Sequence, residues 1–141
     1  MAHAMLSSMA NAHARLNKDL EALQRWMSEC MQQDPVSWRL KTQQLISDLQ
    51  THFRLEEEGG YMESVRSIEP NQERHVHELA EEHKSLLAEL KKIDKQLLQE
   101  KVDLESTRLA MLQWLKKLDH HQHRETRIIQ EVFQQDCQAE D

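Results

Sequence analysis

Residues 76–97 read VHELAEEHKSLLAELKKIDKQL, in which Val76, Leu79, His83, Leu86, Leu90, Ile93 and Leu97 recur in steps of three and four. Such steps stay on one face of an α-helix, the face that a helical bundle buries. A single histidine interrupts an otherwise apolar seam. The pattern recurs three more times along the chain. One seam runs Leu6, Met9, His13, Leu16, Leu20, Leu23, Met27, and another Trp38, Thr42, Leu45, Leu49, His52, Glu56. The last runs Met111, Trp114, Leu118, His121, Glu125, Ile128, Val132.

Helix boundaries follow from capping residues. Asp34-Pro35 stops the first helix and starts the second, Gly59-Gly60 suits a left-handed C-cap, and Asp103 is an N-cap for the last. The expected helices span about residues 5–31, 36–58, 71–100 and 103–135, with a short helical turn over 61–69. Short connections between long amphipathic helices predict an all-α, up-down-up-down antiparallel four-helix bundle, one domain over residues 1–141. Two glycines, two prolines and few β-branched residues agree with long helices rather than sheets.

A formal net charge of −7 argues against nucleic acid or an anionic membrane as partner. No apolar run is long enough for a membrane span, and the opening MAHAMLSSMANAHARL lacks a basic-then-apolar leader. Cys30 and Cys137 show no CxxC spacing or disulfide framework, which suits a reducing cytoplasm.

Nine histidines are many for this length. Measured to one end of the bundle, His13, His52, His83 and His121 each lie about 16–18 residues away, or ~24–27 Å at ~1.5 Å per residue. They are therefore expected in one layer. Glu56 follows His52 by four and Glu125 follows His121 by four, so both carboxylates point into that layer. Burying six titratable groups against Leu and Ile is unfavourable unless something satisfies them all, and a metal ion does so. Nitrogen and oxygen donors without thiolate suit iron, manganese or zinc. The order is the reverse of the Glu-x-x-His of ferritin-like bundles, which disfavours that arrangement.

With HARL (13–16), HFRLEEEGGYME (52–63), EEHKSLL (81–87) and HHQHRETRIIQEVFQQD (120–136), the chain resembles the hemerythrin-like, or HHE cation-binding, family over nearly its whole length. The resemblance implies a non-haem di-iron centre that binds dioxygen or a related small molecule. It carries ligand roles onto His13, His52, Glu56, His83, His121 and Glu125. One departure stands out: oxygen-carrying members have a further histidine four residues before the third-helix ligand, and here that residue is Leu79. Glu57, Glu82, or a water or hydroxide could fill that position, or one iron alone could bind.

The expectation is accordingly oxygen or redox sensing or iron handling, by a binding protein rather than an enzyme, with its protein partner unspecified. Two alternatives stay open. One is a di-iron oxidoreductase acting on peroxide, nitric oxide or ferrous iron; the other is a metal-free or zinc-stabilised helical interaction module. No Ser/His/Asp set, phosphate loop or cysteine nucleophile motif points to other catalysis. Trp38 and Trp114 are expected in the core and Trp26 at its border. His3, His75 and His77 are expected in solvent.

In the run His120-His121-Gln122-His123, only His121 falls on the seam. His121→Ala is expected to abolish or halve iron binding, and His120→Ala and His123→Ala to leave stoichiometry nearly unchanged. Bound iron, assayed in the three reconstituted variants, checks this. Loss of metal from His120→Ala instead would shift the register of the last helix by one residue.

Overall fold

The computed structural model describes the backbone of residues 2–29 and 34–140, and the side chains of residues 7, 9–29 and 34–133. The side chains of His3, Leu6, Cys30, Met31 and Cys137, on which expectations were placed above, lie outside the described residues. Among the described residues the chain is all-helical, without a strand. Four long helices, α1 (Ala2–Glu29), α2 (Pro35–Glu57), α4 (Glu73–Gln96) and α5 (Leu104–Glu140), are joined by a short α3 (Tyr61–Ile68) and a 3-10 turn, Pro70–Gln72. Helix α1 packs on α2, α2 on α4 and α4 on α5, while α3 touches α2, α4 and α5. No helix among them is long and apolar enough to cross a membrane.

The caps fall where local chemistry places them. Asp34 Oδ1 accepts from the backbone N–H of Val36 at 3.1 Å and of Ser37 at 3.2 Å, ahead of Pro35. Asp103 Oδ1 accepts from Ser106 N–H at 3.1 Å, capping α5. Two boundaries differ from expectation. Helix α4 ends at Gln96 rather than near residue 100, because its last amides fold back three residues: Leu98 N–H to Lys95 O at 3.1 Å and Gln99 N–H to Gln96 O at 3.4 Å. No Gly or Pro marks this stop. Helix α5 continues to Glu140, past the frayed end expected near residue 135.

The core is divided in two. One apolar cluster joins Leu16, Leu23, Trp38, Leu49, Phe53, Leu86, Met111 and Leu118 with their neighbours. The other joins Met9, Tyr61, Met62, Val65, Val76, Leu79, Ile128 and Val132, and α3 supplies much of it. Each long helix passes from one cluster to the other across its seam histidine: Leu16 to Met9 across His13, Leu86 to Leu79 across His83, Leu118 to Ile128 across His121. On α2 the same step runs from Leu49 and Phe53 past His52 and Glu56 to the turn before Tyr61. A polar layer thus separates two apolar compartments. Trp38 and Trp114 are buried, and Trp26 sits half-buried against Trp38 with ring centroids 5.8 Å apart.

The turn from α2 into α3 depends on two glycines for different reasons. Gly59 has φ +74°, the left-handed region. Gly60 has no room for a side chain: a Cβ there would lie 2.1 Å from the Leu55 carbonyl oxygen and 2.6 Å from that of Glu56. Gly59→Ala should therefore destabilise by about 1–2 kcal/mol. Gly60→Ala, which forces the turn open, should cost more, on the order of 3 kcal/mol. Urea unfolding of both variants measures the difference, and equal midpoints would show that the turn has slack.

Candidate metal centre

The i, i+4 spacing on α2 and α5 sets each histidine one turn from a glutamate, and the seams of α1 and α4 bring His13 and His83 opposite them. The structure gathers all six side chains into two groups, each of which could hold a metal ion: His13, His52 and Glu56, and His83, His121 and Glu125. In the first, His13 Nε2 lies 3.7 Å from Glu56 Oε2 and His52 Nε2 3.4 Å from Glu56 Oε1. In the second, Glu125 lies 3.5 Å from His83 Nε2 and 3.2 Å from His121 Nε2. His83 Nε2 is also 3.4 Å from Glu56 Oε1, which links the two groups. Glu56 is 1% exposed and Glu125 0%.

Most of these inward-facing atoms have no hydrogen-bond partner. They are Nε2 of all four histidines, both oxygens of Glu56 and Oε1 of Glu125. Buried polar atoms in such numbers are rare unless something unseen satisfies them. Donors sharing one ion at ~2.1 Å lie about 3.0–3.4 Å from each other, close to the spacing found here. Imidazole and carboxylate donors at this spacing fit iron, manganese or zinc.

The opposite ring edges are treated unequally. His83 Nδ1 lies 3.2 Å from Glu57 Oε2, and His121 Nδ1 lies 2.8 Å from Glu82 Oε1. Arg124 donates to the other oxygen of Glu82 and, at 3.2 Å, to Glu78. Glu57 and Glu82 thus stand behind the imidazoles, where a carboxylate fixes the ring and raises its basicity. His52 Nδ1 has no such partner. Phe53 stacks on His83 at 3.8 Å between centroids and meets His121 edge-on at 5.8 Å. The Tyr61 hydroxyl, carried in by the Gly59-Gly60 turn, donates to Glu125 Oε2. One half is buried and braced. The other keeps an open edge at His13, whose side chain is 24% exposed.

Electrostatics differ across the layer in the same way. Burial, aided by the neighbouring His13 charge, drops the His52 pKa to about 4, and burial also lowers that of His13. Burial acts against charge on His83 too, but the Glu125 and Glu56 carboxyl groups facing its Nε2 more than offset it and lift its pKa to about 9. His121 is raised against the same burial by Glu125 and Glu82. The carboxyls separate: burial and the Glu125 charge raise Glu56 well above the carboxylate range. Glu125, despite burial, is held well below it by His121 and His83. The Tyr61 hydroxyl is pushed up by burial and by Glu125, so it stays a proton donor.

Tyr61, Phe53 and Arg124 were not singled out in the sequence. Tyr61 lies 64 positions from Glu125, and only the tight turn before it hints at its destination. His75, His77, His120 and His123 are exposed, as their rotation off the seams predicts. No protein-family model, curated protein or solved structure matches this chain.

Without metal, then, His83 holds a proton at neutral pH that a metal must displace. Binding at pH 7 should release that proton, and the upward shifts of Glu56 and His121 add to the release in the same direction. Because the His83 proton leaves unaided once pH rises through about 9, release should shrink there. Titration in weakly buffered indicator solution measures it. Uptake without proton release would refute this charge arrangement.

Proposed function

We propose that the chain is a hemerythrin-like non-haem iron protein, an up-down-up-down antiparallel bundle with its metal in the polar layer. Two irons are held by His13, His52, Glu56, His83, His121 and Glu125, and the protein serves oxygen or redox sensing or iron handling. The observation that carries this is the convergence of buried donors without partners, one histidine from each long helix. Iron bound there would supply reversible binding or reduction of dioxygen or a relative such as nitric oxide.

The side chains divide the remaining work. Glu56, within ion-pair distance of His13, His52 and His83, spans both halves. Glu57 and Glu82 orient His83 and His121, and Phe53 blocks rotation of the His83 ring. Apolar clusters close the layer on either side, and solvent-open cavities reach it beside His13, His52 and Glu56, where a small molecule can approach. Tyr61 favours the second reading, an oxidoreductase, because its hydroxyl sets a hydrogen-bond donor beside the layer. Multiple turnovers dependent on an electron donor separate that enzyme from a binder. Elemental analysis of untagged protein separates both from a zinc-stabilised or metal-free module.

Anaerobic loading with Fe(II) should give about two irons per chain and raise the melting temperature substantially, since metal binds only the folded state. The rise should fade as pH drops toward ~6, where protons compete for imidazole. Differential scanning calorimetry of apo and loaded protein, paired with iron assay, measures both. Identical melting at neutral pH would show that the layer does not bind iron.

A further inference from the structure

Between α1 and α2, a cavity of about 300 Å³ open to solvent is lined by Asp19, Asp48, Thr51 and His52, with Arg15 and Lys18 at its sides. Asp19 on α1 and Asp48 on α2 both line it, near enough for each carboxyl to act on the other. Among the described residues, neither Arg15 nor Lys18 forms an ion pair with them. Asp48 Oδ1 accepts from Gln44 Nε2 at 3.0 Å. Asp19 is raised to about 6, chiefly by its hydrogen bond to Asp48 and then by burial. Two acidic side chains face each other although cations line the same cavity. That arrangement is unfavourable alone and favourable around a shared cation.

A second observation points the same way. His52 also lines this cavity; it is 5% exposed, and its Nδ1 and Nε2 both lack a partner. Asp48, His52 and Glu56 are spaced four apart on α2, so carboxylate, imidazole and carboxylate follow one another along one helix face at about 6 Å intervals. The ladder begins in the open cavity and ends at the carboxylate that spans the layer. His83 and His121, by contrast, are backed by Glu57 and Glu82 respectively and lie outside this cavity.

We infer that Asp19 and Asp48 form a capture site for a hydrated divalent cation, which passes from them by way of His52 to the His13–His52–Glu56 half of the layer. The inference rests on the metal reading of that layer. Capture is weak and transient: two carboxylates hold a hydrated ion through hard oxygen donors without removing much of its water. Transfer to imidazole completes the dehydration. The pair therefore governs how fast metal arrives and leaves the final occupancy untouched.

The test is stopped-flow loading of apo protein with Co(II), followed by the visible absorption that develops as cobalt gains nitrogen donors. The Asp19→Asn/Asp48→Asn double variant should load about tenfold more slowly than wild type and reach the same stoichiometry. Its apo form should melt no lower than wild type, because a facing acidic pair has been removed. A Glu100→Gln/Glu105→Gln control, at the α4–α5 turn, removes equal charge and should load at the wild-type rate. Wild-type loading by the double variant, equal slowing in the control, or a lower final stoichiometry would each overturn the capture site. Failure of wild-type protein to take up any cobalt or iron would instead overturn the metal layer on which the inference stands.

Discussion

Glu56 and Glu125 lie in the interior of a helical protein with essentially no exposed surface, and the rest of the molecule is arranged around that constraint. An isolated carboxylate in such surroundings costs several kcal/mol after all relaxation. Here the cost is spread over four imidazoles, a tyrosine hydroxyl and a rim of carboxylates and arginine. The pair also eases its mutual repulsion asymmetrically, one carboxyl pushed toward its protonated form and the other held toward its charged form. A polar layer of this kind divides the core, and each apolar cluster must close on its own side of it. Helix α3 exists in that context: its Tyr61, Met62 and Val65 close the compartment that the long helices leave open.

The layer has unequal halves. Around His83 and His121, Glu57, Glu82, Arg124 and Phe53 fix ring orientation before anything binds. Around His13 and His52 there is no comparable bracing, and both imidazoles are biased toward neutrality. Rigid, basic donors favour a tightly held ion with strong preference for higher charge. Neutral, loosely held donors favour exchange. The same helices thus present one braced, basic set of donors and one loosely held, neutral set.

Much of this was legible in the sequence because helical periodicity is strict. The seams of α2, α4 and α5 are buried at every position expected, and His13 is the one seam histidine left partly exposed. Caps at Asp34, Gly59 and Asp103 were readable because their side-chain or backbone chemistry is local. The end of α4 was not, since the chain leaves the helix by gradual tightening without a breaking residue. Tyr61 and Arg124 were missed for a different reason. Their partners, Glu125 on a distant helix and Glu82 on the neighbouring one, are fixed by tertiary packing that no spacing along the chain encodes.

Helix α1 leans on α2, and no contact of similar extent ties it to α5. Between α1 and α5 lies a polar groove of about 490 Å³, lined by His13, Asn17, Asp119, Gln122 and Arg127 among others. Beside this groove α1 is held to the shared core by Met9, Leu16 and Leu23, so opening along the groove would break less than parting α1 from α2. Local opening of this kind draws on the low end of a protein's ladder of unfolding energies. Such breathing would carry His13 out of the layer and leave the other donors in place. Helix α1 would act in that sense as a latch, with His13, if it holds metal as proposed, as its catch: occupancy of the layer would then be readable on the outer surface as the closed or open state of one helix.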